Sequence, residues 1–280
     1  MRILFFILFF QIVSSQESFK TINNFLFDSS NDIFKIISGD SIFSYDLNKN
    51  LVHKAKFLEN DYDVKALFPL VNKSFSYYPS NETGVVVDSK LKRIDNTKTK
   101  NFFMNSRFFV NNDTLFRVGG YGFWTKYRGI SYYNASKNNW HAYTLNSIDE
   151  NYVGVLSPLV TKLENNIYLV YSGVVFDDKN PLHEYANNNV FKLNFKKKQI
   201  SYEGNSSIAL NGKSVFTDNN TTVILRKTGL IILDWKNNLV KKFNTSWTPK
   251  VFQKFNVFLV EDEFYYIEQN KGTFKLASSK

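Results

Sequence analysis

Five side chains with useful chemistry lie close together in the middle of the sequence. They are Tyr121, Phe123, Trp124, Tyr127 and Arg128. Flat aromatic rings can stack on sugar faces or on the side chains of a protein partner, and a guanidinium group can hold a carboxylate through two parallel hydrogen bonds. The segment is therefore a candidate contact site, with packing against neighbouring structure as the alternative.

A second group of polar side chains follows further along the chain. It contains Asp177, Asp178, His183 and Glu184, with Tyr185 beside them. Carboxylates next to an imidazole serve in acid–base catalysis and in the binding of divalent cations, but paired aspartates in a loop are more often solvated. We therefore treat these residues as candidate binding residues, and we predict no catalytic set, no metal and no cofactor.

The remaining sequence carries no familiar catalytic signature. It lacks a serine nucleophile elbow, a phosphate-cradling glycine loop and a paired-histidine zinc motif. Since it contains no cysteine, it also has no disulfide, no thiolate zinc ligand and no thiol nucleophile. His53 and His141 occupy equivalent places in the sequence repeat described below, so we expect them on separate sheet edges, in surface or packing positions.

Composition favours a β protein. The 280 residues include 28 Phe, 16 Tyr and 4 Trp but only 12 Gly and 5 Pro, and aromatic residues suit the half-buried surfaces of sheets. The net charge of +10 comes from scattered lysines rather than from a continuous basic stripe, so no nucleic-acid partner is predicted. The cluster at 196–198 is expected to be a solvated turn.

The first residues are typical of a secretory signal peptide. Met1 and Arg2 give a short positive start, and the largely apolar stretch Ile3–Val13 follows. This stretch reaches only about half of the roughly 20 apolar residues that a membrane-spanning helix needs. We predict a signal peptide over residues 1–15, one domain over residues 16–280 without a transmembrane segment, and a secreted or periplasmic location. An uncleaved anchor is the alternative.

The elements that must position these residues follow a repeat. An apolar residue followed by Asp, Asn or Glu, with another apolar residue six positions later, occurs six times at intervals of 34 to 60 residues. The pairs are Tyr45–Asp46, Val87–Asp88, Tyr133–Asn134, Leu193–Asn194, Leu233–Asp234 and Ile267–Glu268. An Asx side chain can cap a hairpin turn by accepting hydrogen bonds from local backbone amides. The pattern therefore predicts six hairpins, one in each of six repeats.

The third repeat resembles a kelch motif. Gly119 and Gly120 close one strand, Tyr133–Asn134 closes the next, and Trp140 opens the last. The resemblance implies an all-β, kelch-like β-propeller, with six blades of three to four antiparallel strands. An irregular β-sandwich is the alternative. Galactose oxidase shares the kelch fold, but its Tyr–Cys cross-link is impossible in a chain without cysteine.

Loop lengths single out two neighbouring repeats. From the glycine to the Asx residue the interval is 7 residues in the first repeat, but 14 from Gly120 to Asn134 and 21 from Gly173 to Asn194. Long loops on a rigid scaffold are where binding residues collect. Because propeller loops of this kind reach one face of the disc, we expect the two candidate segments to converge.

These observations favour an exported propeller that acts as a binding or interaction module for a glycan or protein partner. The alternative is a small carbohydrate-active enzyme that resembles the kelch-type sialic acid mutarotases. In that case Arg128 would hold a carboxylate, and Glu184 or His183 would move a proton. A sensor or assembly component with a separate partner is a third possibility.

Overall fold

The computed structural model describes fourteen ranges of the chain, and all structural statements concern these. They are residues 17–56, 62–70, 77–80, 83–96, 105–122, 125–156, 158–172, 174–176, 184–206, 213–217, 221–226, 229–234, 239–243 and 255–279. The described residues form strands, turns and one short 3-10 helix. The prediction of an all-β protein is thus confirmed.

The first repeat is a four-stranded antiparallel sheet whose strands follow one another in chain order. Its strands are β1 (Asn24–Asp28), β2 (Ile33–Ser38), β3 (Ser41–Tyr45) and β4 (Leu51–Lys56). Every residue of β1 is buried, whereas β4 is almost wholly exposed. The first strand is therefore the innermost and the fourth is the outermost.

The second repeat is reduced to short pairings. It contains the 3-10 helix η1 (Val64–Ala66) and the strands β5 (Tyr78–Pro79) and β6 (Val86–Val87). Single bridges, Leu67 with Ser80 and Val87 with Arg93, extend this two-stranded pair on both sides.

The third repeat forms a four-stranded antiparallel sheet and the fourth a mixed sheet of five strands, each with an additional hairpin. The third contains β7 (Arg107–Asn111), β8 (Thr114–Val118), β9 (Tyr121–Gly122), β10 (Thr125–Lys126), β11 (Ile130–Asn134) and β12 (Asn139–Tyr143). The fourth contains β13 (Ser147–Ile148), β14 (Leu159–Glu164), β15 (Ile167–Tyr171), β16 (Val174–Phe176), β17 (Glu184–Ala186), β18 (Asn189–Asn194) and β19 (Gln199–Asn205). In both repeats the hairpin, β9–β10 or β16–β17, is inserted between the second and third strands of the main sheet.

The last two repeats share one sheet of seven strands. Its strands are β20 (Lys213–Thr217), β21 (Thr221–Arg226), β22 (Gly229–Asp234), β23 (Leu239–Phe243), β24 (Phe258–Val260), β25 (Glu263–Asn270) and β26 (Thr273–Ser279). They join because β20 and β24 pair in parallel, with Phe216 opposite Phe258.

The arrangement is that of a β-propeller with four blades, not the predicted six. Four sheets of the described residues contain four or more strands. The physical reasons are the parallel pairing that fuses the last two repeats and the short pairings of the second repeat.

The two ends of the described chain meet. Phe19 and Phe274 exchange two backbone hydrogen bonds of 2.7 Å each, which adds the first described residues to the outer edge of β26. Phe34 of the first sheet stacks on Tyr265 of the last, with 4.4 Å between the ring centroids. The side-chain amide of Asn256 donates to the backbone oxygen of Phe25 at 2.8 Å. These contacts close the ring, a feature that the sequence did not reveal.

Residues from distant repeats also meet at the centre. The guanidinium of Arg107 lies over the ring of Phe68 from the second repeat at 4.9 Å. It lies over Phe216 from the seven-stranded sheet at 5.2 Å, and Phe216 is itself 5.5 Å from Phe258. The innermost strands of several repeats therefore surround a common aromatic hub.

Turn capping by Asx side chains occurs as predicted in the first four repeats, and the turn that follows Asp234 in the fifth lies outside the described residues. Asp46 Oδ1 accepts from the amide of Asn50 at 2.8 Å, and Asp88 Oδ1 accepts from two turn amides. In the corresponding turns, Asn134 Oδ1 accepts from the amide of Lys137 at 3.2 Å, and Asn194 Oδ1 accepts from the amide of Lys197 at 3.0 Å.

The sixth predicted hairpin is displaced. Ile267 and Glu268 lie within β25 and pair with Leu276 and Lys275. The chain instead reverses between Asn270 and Thr273. The Glu268 carboxylate forms an ion pair across the two strands and is not a turn cap.

Candidate binding site between the third and fourth repeats

The aromatic segment folds into the short hairpin β9–β10. Tyr121 pairs with Lys126 in this hairpin, and the amide of Tyr127 donates to the backbone oxygen of Gly120 at 3.0 Å. The candidate residues Phe123 and Trp124 lie outside the described residues. Tyr121 is half-buried and Arg128 is exposed.

The double glycine allows the chain that links the third and fourth sheets to approach closely. Gly119 has a φ of +67°, and a Cβ atom added there would lie 2.4 Å from the backbone oxygen of Val155. Gly120 donates its amide to that same oxygen at 2.8 Å. The glycine pair thus fixes the base of the hairpin against residues 149–156, which we call the linker.

Tyr127 and Arg128 are tied to the surrounding backbone. The hydroxyl of Tyr127 lies 2.8 Å from Ser131 Oγ and donates to the backbone oxygen of Ile130 at 3.2 Å. Arg128 Nε donates to the backbone oxygen of Tyr152 at 2.8 Å, and Nη2 reaches Glu150 O at 3.5 Å. Arg128 therefore braces the linker, a role that the sequence interpretation of a ligand-gripping arginine did not include.

The linker supplies a residue that sequence reasoning missed. Tyr152 is completely buried, and its ring packs edge-on against Phe191 at 5.0 Å. Its hydroxyl is buried and has no hydrogen-bond partner. Burial raises the pKa of Tyr152, the nearby Tyr127 raises it further, and Arg128 partly opposes both. The hydroxyl therefore stays protonated at neutral pH.

A second missed residue is Arg117. It is 2% exposed, and its guanidinium lies over the indole of Trp140 at 4.7 Å. Burial lowers the pKa of Arg117 to about 10, and Tyr127 acts in the opposite direction. Arg117 thus remains charged at neutral pH. The only sequence signal was a charged residue within the apolar strand Thr114–Val118.

Glu184, the last candidate of the acidic segment, lies on a similar hairpin in the fourth repeat. Glu184 pairs with Phe176 in β16–β17, while Asp177, Asp178 and His183 lie outside the described residues. At the base of this hairpin, the amide of Ser172 donates to Asn189 O at 3.0 Å. No group of three potential metal ligands occurs in the described part of the chain.

The bases of the two hairpins share a neighbourhood. Arg128 follows the first hairpin and contacts Tyr152, and Tyr152 packs on Phe191 in β18, the strand that follows the second hairpin. Convergence of the two tips stays a prediction, because their residues lie outside the described ranges.

The two histidines lie apart. His53 lies on β4, where it is exposed and pairs with Ser44 of β3. His141 lies on β12, where its ring stacks on Tyr132 at 5.7 Å. Both occupy the fourth strand of their sheets, as the repeat predicts.

Comparisons with known proteins show similarity in fold. No protein-family model matches the chain, and no curated protein matches it in sequence. The structure of YjhT matches with 12% identity over 90% of this chain and 74% of its own, at a TM-score of 0.47.

The second similar structure is PorZ of Porphyromonas gingivalis, an essential bacterial surface component of the type-IX secretion system. It matches with 12% identity over 92% of this chain, at a TM-score of 0.54. This chain spans 31% of the length of PorZ. The similarity to PorZ supports the β-propeller fold.

Within the described ranges, no helix has the length and apolar character needed to cross a membrane.

Proposed function

We propose that this chain is an exported, kelch-like propeller that acts as a binding module for a glycan or protein partner. The contact site comprises the hairpins of the third and fourth repeats. It includes the candidate residues Tyr121, Phe123, Trp124, Tyr127, Arg128, Asp177, Asp178, His183 and Glu184. A signal peptide over residues 1–15 accounts for the export.

The observation that carries this proposal is the shared base of the two hairpins. Arg128 follows the first hairpin and donates to the backbone oxygen of Tyr152, and the ring of Tyr152 packs on Phe191, which follows the second hairpin. The first hairpin begins at the aromatic Tyr121, and the second begins its return strand at Glu184. Aromatic rings beside polar groups suit a sugar, which offers a face for stacking and hydroxyl groups for hydrogen bonds.

The proposed binding role and the enzyme alternative use the same hairpins. Arg128 is exposed and can orient a glycan or a protein through the donors that it does not use on the linker. Catalysis would in addition need a general base, and Glu184 and His183 are the candidates for it.

A glycan microarray provides the first test. The purified mature protein is expected to be retained by a defined group of glycans, and Trp124→Ala should abolish this retention with a nearly unchanged melting temperature. Loss of folding in Trp124→Ala would instead show that this tryptophan is structural. Retention that survives in folded Trp124→Ala would contradict the proposed site.

A sugar-anomer NMR assay with sialic acid distinguishes the binding module from the enzyme alternative. The binding-module proposal predicts anomer exchange at the uncatalysed rate. Acceleration that depends on Glu184 or His183 would overturn it.

A further inference from the structure

Lysines recur in the turns between the third and fourth strands of the repeats. Four of these turns lie in the described part of the chain, and each carries at least one. The residues are Lys49, Lys90 and Lys92, Lys137, and Lys196 to Lys198. All are exposed except Lys49, which is half-buried and donates to Ser278 Oγ. We call this set the lysine rim.

The turns of the lysine rim are held in place by the preceding repeat. The amide of Asn146 donates to Lys198 O at 2.7 Å, and the amide of Asn96 donates to Asn138 O at 2.7 Å. The contact of Lys49 with Ser278 joins the first repeat to the last in the same way. The first two contacts fix the backbone of a lysine-bearing turn and the third holds the lysine side chain itself, so the positive charges are carried by ordered turns at the seams between repeats.

The turns between the first and second strands have the opposite charge. They carry Asp113, Glu164, Glu261 and Asp262, all exposed. In a meander of four strands, the first and third turns lie at the same end of the sheet. Because the first strand is the innermost, this end of the propeller has acidic turns near the hub and basic turns at the periphery. None of the exposed rim lysines forms an ion pair with a described acidic residue.

We propose that the lysine rim binds an extended acidic polysaccharide. A linear polyanion can follow the peripheral turns and stay away from the acidic inner turns. A flat anionic membrane placed against the same end would meet both, so its attraction to the lysines would be opposed. The three consecutive lysines 196–198 give the highest density of positive charge on the rim, and they provide the main contact.

The test measures binding of a fluorescein-labelled heparin oligosaccharide by anisotropy at physiological ionic strength. The wild-type protein should bind, and the affinity should fall as salt is added, because bound lysines displace counterions. The combined variant K196Q/K197Q/K198Q should bind about tenfold or more weakly. Its melting temperature should be unchanged, because the three side chains are exposed.

The matched control removes the same charge elsewhere. Lys56, Lys65 and Lys162 are exposed and lie outside the rim turns, so K56Q/K65Q/K162Q should retain most of the affinity. Equal losses in both variants would show a net-charge effect and overturn the proposal, as would absence of wild-type binding. Rim-dependent binding to phosphatidylserine vesicles without binding of heparin would overturn it in favour of a membrane.

This inference is independent of the site between the third and fourth repeats. The rim variant should leave glycan retention through Trp124 intact, so that failure of one proposal does not imply failure of the other.

Discussion

At the scale of single residues, the buried polar groups of this chain differ in whether they have hydrogen-bond partners. Asp28 and Lys35 lie between the first two repeats, with 2.7 Å between Lys35 Nζ and Asp28 Oδ2. Lys35 Nζ also donates to Ser89 O at 2.8 Å, and Ser30 Oγ donates to Asp28 at 2.6 Å. Burial alone would raise the pKa of Asp28, but the hydrogen bonds from Lys35 and Ser30 outweigh it and lower the pKa below 3.8.

This pair gives stability a defined pH dependence. Because the folded-state pKa of Asp28 is lowered, the pair stabilises the protein fully above the ordinary carboxyl value of 3.8, and this contribution is lost as the pH falls through the folded-state pKa. Asp28→Asn leaves a buried ammonium without its partner and should cost about 3 kcal/mol at neutral pH. Urea unfolding at neutral and acid pH measures both effects.

The control is the exposed pair of Glu268 and Lys275, whose charged atoms are 3.0 Å apart. Glu268→Gln should cost less than about 1 kcal/mol. If Asp28→Asn lost as little, or if its stability fell in acid as steeply as that of the wild type, the buried pair would not have the assigned role.

At the scale of elements, turn chemistry made the hairpins predictable. Asp46, Asp88, Asn134 and Asn194 cap turns in the structure because short side chains can reach the next backbone amides. Glu268 does not, because the strand pairing of β25 continues past it to Asn270. Local signals of this kind carry no information on pairing between repeats, and the parallel contact of β20 with β24 was therefore missed.

The close approach at the double glycine of the third repeat can be tested by a pair of substitutions. Gly39 and Gly119 both have positive φ values, +58° and +67°, but only Gly119 faces a close neighbour. Gly39→Ala should cost about 1 kcal/mol from the left-handed backbone alone. Gly119→Ala should cost about 3 kcal/mol, because its Cβ also collides with the linker at Val155. Chemical denaturation measures both, and equal costs would show that the close approach is unimportant.

At the scale of the whole molecule, the ring is closed by residues at the two ends of the described chain. Phe19 is 5% exposed and packs on Phe43 with 4.8 Å between ring centroids. Phe19→Ala should lower the free energy of unfolding by about 3 kcal/mol. Val52→Ala, at a residue that is 53% exposed, should change it by less than about 0.5 kcal/mol. Similar unfolding midpoints for the two variants would contradict closure through Phe19.

Only part of the candidate site could be predicted from the sequence, because some of its residues are distant from one another along the chain. Tyr121, Tyr127 and Arg128 were selected as candidates from the sequence because they are adjacent and chemically distinctive. Tyr152 and Arg117 were not, because their significance arises from burial beside residues that are distant along the chain. Closure of the ring and the number of sheets depend on contacts of the same long-range kind.

The most direct test of the proposed site compares two tyrosines inside and outside the hairpins. Tyr121 is a half-buried residue of the β9–β10 hairpin, and Tyr202 is a residue of β19 that is 39% exposed and lies outside both hairpins. The measurement is the affinity of Tyr121→Ala, Tyr202→Ala and the wild type for the glycan that the array selects. We predict a loss of about tenfold for Tyr121→Ala, because a ring available for stacking is removed, and none for Tyr202→Ala. Equal affinities for all three proteins, or no glycan selected by the wild type, would contradict a glycan site at these hairpins.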